Sequence, residues 1–199
     1  MLNRSDSITG IIGMKFDQIL VVDIESTCWE DPKISDLGEI IEIGISPINT
    51  RSGDILEGKD ILVKPEHSKV SEFCTKLTTL TQDDVDSGMS FKEACEILIN
   101  ECNSKKYTWA SYGNYDKYQF QDQCRRENIE YPFTKAHINV KLLFALRYSL
   151  KREVGMDKAL YLLGLPLIGT HHRGGDDSRN IAKILSMILY NKSNKGDGR

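Results

Sequence analysis

The segment that most restricts the fold is an apolar run at residues 18–25, QILVVDIE, which is rich in branched side chains. A short apolar run without polar alternation is typical of a strand buried on both faces of a sheet. Two acids, Asp23 and Glu25, interrupt this run. Because side chains alternate along a strand, residues two apart lie on the same face, so the two carboxylates are predicted to be neighbours. The fold therefore has to accommodate two adjacent acids on a buried strand.

The order of the other predicted elements indicates an α/β fold. Apolar segments at 39–48 and 60–64 follow with turn residues between them, which predicts a three-strand antiparallel meander. Helical spacing begins after Ser90, which is placed to form a capping box with Glu93. The remaining predicted elements are strands at 107–112 and near 138–142 and helices at 116–128, 156–163 and 181–189. This alternation predicts a mixed sheet covered by helices.

The bulk composition fits one folded domain. Of the 199 residues, 40% are hydrophobic, which suffices for one core and is short for two catalytic domains. We expect the folded unit at 16–190, between a polar lead at 1–15 and a flexible tail at 191–199. The sequence has no apolar run long enough for a membrane span and no C-x-x-C pair among its five cysteines. We therefore expect a soluble, cytoplasmic protein without a membrane partner.

The charge restricts how nucleic acid could be bound. A formal net charge of −3 argues against a broad basic surface that holds duplex nucleic acid, so any such contact has to be local. Basic clusters occur at Lys105-Lys106, Arg125-Arg126, Lys151-Arg152 and 171–173. They fit either a positive rim around one cleft or ordinary solvated surface charge.

The paired acids on the first strand favour a divalent cation. Like charges this close repel and are costly to ionise in an apolar setting unless a cation neutralises them. Hard cations such as Mg²⁺ and Mn²⁺ prefer carboxylate oxygens and keep several waters, which suits an open catalytic site. The alternative is that Asp23 and Glu25 lie at the solvated end of the strand, since a lone D-x-E often occurs by chance.

A second group of chemical side chains opens the last predicted helix. Asp177 shares the helical stripe of Ile181, Ile184 and Ile188, whereas Asp176 lies off that stripe, where it could cap free backbone N–H groups. His172 precedes Asp177 by five residues across a Gly-Gly loop. Its unperturbed pKa of about 6.5 suits a general base. A surface histidine is the alternative interpretation, and only spacing favours His172 over His171.

Asp116 is the third candidate acid, on the same helical stripe as Phe120 and Cys124. An acid on a core-facing stripe needs a partner, although a negative charge at a helix N-terminus is common without one. The conjunction of four acids and one histidine, each at the mouth of a predicted element, favours a single metal-dependent site.

These segments resemble the DnaQ-like DEDD exonucleases of the RNase H-like fold, in the subclass with a histidine in its third motif. The matching segments are VVDIEST at 21–27, GNYD at 113–116, and HRGGDD at 172–177 followed by SRNIAKI. Within that family the chain is most similar to the Eri-1-like, 3′ histone-mRNA exonuclease group. The closer similarity rests on DIESTCWE, EIIEIG, FCTKLTTLTQDDV, YPF and HRGGDDSRNIA, spread over about 16–190.

The resemblance implies an RNase H-like five-stranded mixed sheet flanked by helices, and a two-metal hydrolase. Two divalent cations, Mg²⁺ or Mn²⁺, would be held by Asp23, Glu25, Asp116 and Asp177, while His172 activates water. Family precedent has Asp23 bridging both ions, and Asp116 acting on the second ion largely through water.

The resemblance also implies a pocket for the terminal nucleotide. Its predicted lining residues are Ser26, Thr27, Cys28, Leu80 and Thr81, and the predicted base-stacking residues are Trp29 and Tyr115. Ordinary turn and core roles are the alternative for these residues. Relatives often carry glycine where this chain has Thr79, and this departure bears on the local loop shape and on the nucleotide preference.

Three functions are therefore in competition. The leading hypothesis is a 3′-to-5′ exoribonuclease acting on single-stranded RNA ends or short 3′ overhangs. The second keeps the chemistry and takes single-stranded DNA ends as substrate. The third is an inactive RNase H-like module that binds nucleic acid or protein; the presence of all four acids and the histidine speaks against it.

Overall fold

A computed structural model describes residues 16–31 and 38–190. Five strands form one mixed sheet in the order β3-β2-β1-β4-β5. The strands are β1 (Gln18–Ser26), β2 (Ile40–Asn49), β3 (Lys59–Leu62), β4 (Thr108–Ser111) and β5 (His137–Asn139). β1 and β3 pair antiparallel with β2, whereas β4 pairs parallel with β1 and with β5. The predicted α/β fold, with a three-strand meander and parallel strands, is confirmed. The predicted lead and tail lie outside the described residues.

Seven helices cover the two faces of the sheet in the described part of the chain. They are α1 (Glu72–Thr78), α2 (Gln82–Asp86), α3 (Phe91–Asn100), α4 (Tyr115–Arg126), α5 (Val140–Arg147), α6 (Met156–Leu163) and α7 (Gly174–Tyr190). The predicted capping box of α3 is present, since the Ser90 hydroxyl accepts the Glu93 N–H and the Glu93 carboxylate accepts the Ser90 N–H. None of the described helices is long and apolar enough to cross a membrane.

The central strand β1 is buried on both faces, as its apolar sequence predicts. Leu20, Val22 and Ile24 pack into a core with α3 and α4, while Ile19 and Val21 pack into a second core with α5, α6 and α7. Because side chains alternate, Asp23 and Glu25 share the face of Val21. The two acids therefore extend from the face of the sheet on which α7 lies.

The sequence prediction fails in two places. The predicted strand at 138–142 is wrong beyond residue 139, because the Asn139 side chain accepts the Leu142 N–H at 2.9 Å and begins α5. A short apolar run does not by itself distinguish a strand from a helix. Helices α1 and α2 were not predicted, since seven and five residues are too few to show helical periodicity.

The start of α7 is in backbone contact with β2. A Cβ atom built on Gly44 would lie 1.9 Å from the carbonyl oxygen of Gly174, and one built on Gly174 would lie 3.0 Å from the Gly44 nitrogen. Only glycines permit so close an approach. The contact brings the first turn of α7 next to the carboxyl end of β1.

Candidate active site

The candidate acids meet at one edge of the sheet. Asp23 and Glu25 lie near the carboxyl end of β1, and Asp116 lies in the first turn of α4, which follows the parallel strand β4. Asp177 lies in the first turn of α7. Parallel strands end at the same edge of a sheet, so the fold brings together carboxylates that are far apart in sequence.

Three of the four acids form a compact oxygen cluster. One carboxylate oxygen from each of Asp23, Glu25 and Asp177 lies within 4.8 Å of the others. Glu25 is 8% exposed and Asp177 is 5% exposed. The predicted adjacency of Asp23 and Glu25 is therefore present, and the acid from the last helix joins them.

The fourth acid, Asp116, lies beside this cluster and holds the β1 backbone. Its Oδ1 accepts the backbone N–H of Ile24 at 3.2 Å, and the side chain is buried. Asp116 is the neighbouring charge that contributes most to raising the pKa of Asp23. The side chain thus lies within electrostatic reach of the cluster while being held by α4 and by its hydrogen bond to β1.

Two histidines lie beside Asp177. His172 has a left-handed φ of 65°, and its backbone N–H donates to Asp177 Oδ2 at 2.9 Å. The His171 ring stacks on the His172 ring with centroids 4.0 Å apart, and His171 Nε2 lies 3.8 Å from the same carboxylate oxygen. A ring nitrogen of each histidine lies within 4.8 Å of an Asp177 carboxylate oxygen. The choice of His172 over His171 stays a prediction.

Burial raises the pKa of each of the four candidate acids, and the charges of neighbouring acids raise it further at Asp23, Glu25 and Asp177. Burial, followed by the charges of Asp177 and Glu42, raises the pKa of Glu25 to about 8. Burial raises the pKa of Asp177 to about 6, against the hydrogen bond from the His172 N–H, and raises that of Asp116 to about 6. Several neighbouring acids of this kind ionise together only when a cation compensates them.

The donor set fits a hard divalent cation. Asp177 Oδ1 is buried without a hydrogen-bond partner in the described part of the chain, although buried carboxylate oxygens are normally satisfied. This oxygen belongs to the same carboxylate that joins Asp23 and Glu25. A cluster made only of oxygen donors is the type that Mg²⁺ and Mn²⁺ prefer.

An ion pair between buried Glu42 and half-buried Arg173, which sequence reasoning missed, holds the histidine loop and α7 against the sheet. Arg173 Nη2 lies 2.7 Å from Glu42 Oε1, and Arg173 Nε donates to Glu42 Oε2 at 3.1 Å. The N–H of Gly174 donates to Glu42 Oε2 at 2.7 Å. Glu42 is 2% exposed and pairs with Glu25 across β1 and β2. An acid inside the apolar segment EIIEIG is a sequence signal that could have indicated a buried partner.

Asp176 does not cap α7 as predicted. The helix begins two residues earlier, at Gly174. Asp176 Oδ2 accepts the N–H of Thr170 at 2.8 Å, and Oδ1 binds Arg179 Nη1 at 2.8 Å. Asp176 therefore stabilises the loop before the helix.

The predicted nucleotide-binding residues lie around the end of β1, and several have structural contacts. The Thr27 hydroxyl accepts the Glu39 N–H at 2.9 Å, and Leu80 is 2% exposed in a small core with Cys74. Thr81 caps α2 through a capping box with Asp84. Ser26 Oγ is buried and has no hydrogen-bond partner among the described residues.

Of the predicted stacking residues, Tyr115 is the more open. Tyr115 is 60% exposed at the start of α4, directly before Asp116, whereas Trp29 and Cys28 are half-buried. Exposure next to a site acid suits base stacking, while the partial burial of Trp29 leaves both packing and stacking open. The nucleotide-binding roles stay predictions.

Comparisons with known proteins agree on one family. The RNase_T family, described as Exonuclease, matches residues 20–185. The rat 3′-5′ exoribonuclease 1 is 34% identical over 199 residues, which cover 95% of this chain and 56% of that protein. The chain thus spans about half the length of that relative.

Two solved structures share the fold. The nuclease domain of 3′hExo, a DEDDh family member bound to rAMP, is 31% identical with a TM-score of 0.83, covering 90% of this chain and 94% of that chain. A structure on 3′-end specific recognition of histone mRNA stem-loop by 3′-exonuclease is 30% identical with a TM-score of 0.80, covering 88% of this chain and 83% of that chain.

Proposed function

We propose that this chain, which belongs to the RNase_T exonuclease family, removes nucleotides from the 3′ end of single-stranded RNA. The observation that carries the proposal is the cluster of Asp23, Glu25 and Asp177 oxygens within 4.8 Å, one carboxylate of which has a buried oxygen without a partner. Membership of the DEDDh group implies dependence on a divalent metal. The arrangement is suited to hydrolysis of a phosphodiester bond.

The four acids are proposed to hold two divalent cations, Mg²⁺ or Mn²⁺. Asp23, Glu25 and Asp177 would supply the shared oxygen cluster, and Asp116 would act from its position beside Asp23. When bound, such cations polarise water and neutralise the charge of the scissile phosphate. Asp116 also fixes the β1 backbone through Ile24, so the acids are held in position before any substrate arrives.

His172 is proposed to accept the proton of the attacking water. Burial and the neighbouring His171 lower the pKa of His172 below its ordinary 6.5, so the imidazole is neutral and basic near pH 7. The hydrogen bond from its N–H to Asp177 orients the loop. His171, stacked on His172, is the residue that could take the same role.

RNA is the proposed substrate because of what two similar proteins are called. The 34% identical relative is named a 3′-5′ exoribonuclease, and the 30% identical structure is named for recognition of a histone mRNA stem-loop. In this chain the exposed ring of Tyr115 and the region of Ser26, Thr27 and Cys28 are proposed to hold the terminal nucleotide. A base stacked on an aromatic ring contributes about 1 to 3 kcal/mol with little sequence preference. Trp29, Leu80 and Thr81 are proposed to complete the pocket.

The test is a panel of 5′-labelled oligonucleotides incubated with Mg²⁺, Mn²⁺ or EDTA. We expect stepwise shortening from the 3′ end of RNA, loss of activity in EDTA, and loss of activity in Asp23→Ala. Terminal deoxyribose should slow the first cleavage, because only RNA offers a 2′-OH. Equal rates on RNA and DNA would refute the RNA preference, and binding without any cleavage would indicate an inactive module.

The proposed base is tested by a pH profile of the first turnover. The wild-type rate should fall as acid protonates His172, with a midpoint below pH 6.5 because its pKa is lowered. His172→Ala should lose most of the activity, and its remaining rate should no longer fall at low pH. If this decrease of the rate at low pH disappears in His171→Ala and persists in His172→Ala, the base is His171.

A further inference from the structure

We propose that a groove along α4 binds the phosphate backbone of the substrate on the 5′ side of the nucleotide being removed. The α4 groove is a cavity of about 760 Å³ between α4 and the segment that leads into β5. Its walls include Lys117, Gln121 and Arg125 from α4, and Glu130, Tyr131 and Lys135 from that segment. The inference rests on the proposed function, because it assigns the path of the same substrate.

The α4 groove is locally positive in an acidic chain. Three cationic side chains line it, Lys117, Arg125 and Lys135, against one acid, Glu130. The Glu130 carboxylate lies 2.6 Å from Lys105 Nζ, which compensates its charge. The whole chain carries a net charge of −3, so the groove is a region of local positive charge that would attract a polyanion.

Arg125 is also available to a phosphate. Its guanidinium lies 3.2 Å from the Asp122 carboxylate, in a pair whose arginine side chain is 75% exposed. Exposed pairs of this kind contribute little, about 0 to 1 kcal/mol. A bidentate phosphate contact is stronger than such a pair and could replace it.

One end of the α4 groove is lined by the residue that follows a candidate site acid. Lys117 directly follows Asp116, and Lys117, Gln121 and Arg125 recur at steps of four residues along one side of α4. Eight residues of helix span about 12 Å. The groove therefore leads away from the acids in a straight line, over a length that a few nucleotides would occupy.

The chemistry of the lining favours a backbone over bases. Cations at regular spacing match the repeating phosphates of a single strand, and binding of that kind is independent of sequence. With its 3′ end at the acids, a strand would then leave along α4 in the 5′ direction.

The variant Lys117→Ala/Lys135→Ala tests the groove, with Arg51→Ala/Lys64→Ala as the matched control. Arg51 and Lys64 are exposed and lie on the β2–β3 side of the sheet, away from α4. The substrates are a 12-nucleotide RNA and a dinucleotide, whose single phosphodiester lies at the acids. Thermal unfolding checks that both variants are folded.

We expect the groove variant to raise KM for the 12-nucleotide RNA about tenfold, with unchanged kcat and unchanged turnover of the dinucleotide. The slope of log KM against log salt should fall by about 1.4, since each phosphate contact on a single strand contributes about 0.7. Binding of the 12-nucleotide RNA in EDTA should weaken by a similar factor, which separates the groove from the metal site. The control should behave as wild type.

The proposal is overturned if the groove variant binds and cleaves the 12-nucleotide RNA like the control. It is also overturned if KM rises equally for both substrates, because that would place the lysines at the scissile bond. Failure of the proposed function has a different signature, in which the wild-type protein cleaves neither substrate. In that case tight binding of RNA in EDTA that depends on both lysines would still support the groove.

Discussion

At the scale of single residues, the two oxygens of Asp177 have different surroundings. Oδ2 accepts the His172 N–H, while Oδ1 is buried and has no partner in the described structure. Burial raises the pKa of this carboxyl group to about 6. In the metal-free protein the side chain therefore destabilises the fold that it serves, because a charged buried carboxylate lacks full compensation.

Asp177→Asn should separate stability from activity. The amide removes the buried charge and can donate a hydrogen bond towards Glu25, so the metal-free variant should be at least as stable as wild type. Turnover should fall at least about 100-fold, because a lost cation ligand costs several kcal/mol of transition-state stabilisation. Thermal unfolding in EDTA and in Mn²⁺ measures the first effect, and the metal should stabilise wild type more than the variant. Retained turnover would exclude Asp177 as a ligand.

Thr79 is in a conformation that favours glycine. It ends α1 with a left-handed φ of 66°, which is unfavourable for a β-branched residue. Thr79→Gly should therefore stabilise the protein by about 1 kcal/mol, the relief of left-handed strain exceeding the entropy gained by the unfolded chain. Urea unfolding measures this change.

A nearby substitution serves as a control, because it should change the free energy of unfolding in the opposite direction. Thr81→Ala, two residues on, removes the capping box of α2 and should cost about 1 kcal/mol. If Thr79→Gly destabilises the protein, the threonine has a compensating contact that its backbone conformation does not reveal.

At the scale of elements, the position of α7 depends on the pair of Glu42 and Arg173. Arg173→Ala would leave the Glu42 carboxylate buried with only the Gly174 N–H as partner, so we expect a loss of about 3 kcal/mol of unfolding free energy. Lys59→Ala, which breaks the exposed pair with Glu101, should cost no more than about 1 kcal/mol. Urea denaturation of both variants gives the comparison, and equal small effects would show that the pair of Glu42 and Arg173 adds no more stability than an exposed pair.

Long and strongly periodic elements were the predictable part of the fold. The β1 run of branched residues and the Ser90 capping box of α3 indicate their elements without tertiary information. The two short helices could not be found from periodicity, although Ser71 and Thr81 mark their starts as N-caps. The segment 138–142 was ambiguous because Val140 and Phe144 are buried on a helix, while the first residues extend the sheet.

At the scale of the whole molecule, the site makes the stability of the metal-free protein depend on pH. The folded state raises the pKa of Glu25 from 4.5 to about 8 and that of Asp177 from 3.8 to about 6. The folded state therefore binds protons more tightly than the unfolded state over this range, so this contribution to stability is complete below about pH 4 and is lost as pH rises towards 8.

Urea unfolding in EDTA should show a free energy of unfolding that falls from pH 5 to pH 8 by a few kcal/mol, to order of magnitude. Mg²⁺ or Mn²⁺ should restore stability at the higher pH, because the cation favours the ionised carboxylates. Glu25→Gln should flatten the slope. A stability in EDTA that does not depend on pH would mean that the folded state does not raise the pKa of these acids.

The candidate site was predictable in its composition but not in its geometry. Helical and strand periodicity placed Asp177 and the pair of Asp23 and Glu25 on inward faces, yet no local pattern states that β1, α4 and α7 meet at one edge. The convergence depends on strand order, which is a property of the whole sheet. The pairing of buried Glu42 with Arg173 joins residues 131 positions apart. The sequence could therefore suggest that Glu42 has a partner, but not which residue that partner is.

Two sets of site residues with separate supports meet at the backbone contact between Gly44 and Gly174. Asp23 and Glu25 are supported by β1, whereas His172 and Asp177 lie on either side of Gly174, where α7 meets the sheet. A methyl group at position 44 would lift the second set as a unit and leave the first in place. The distance between His172 and the acids of β1 therefore depends on the absence of a side chain at Gly44. This glycine lies on β2, a strand that contributes no proposed ligand itself.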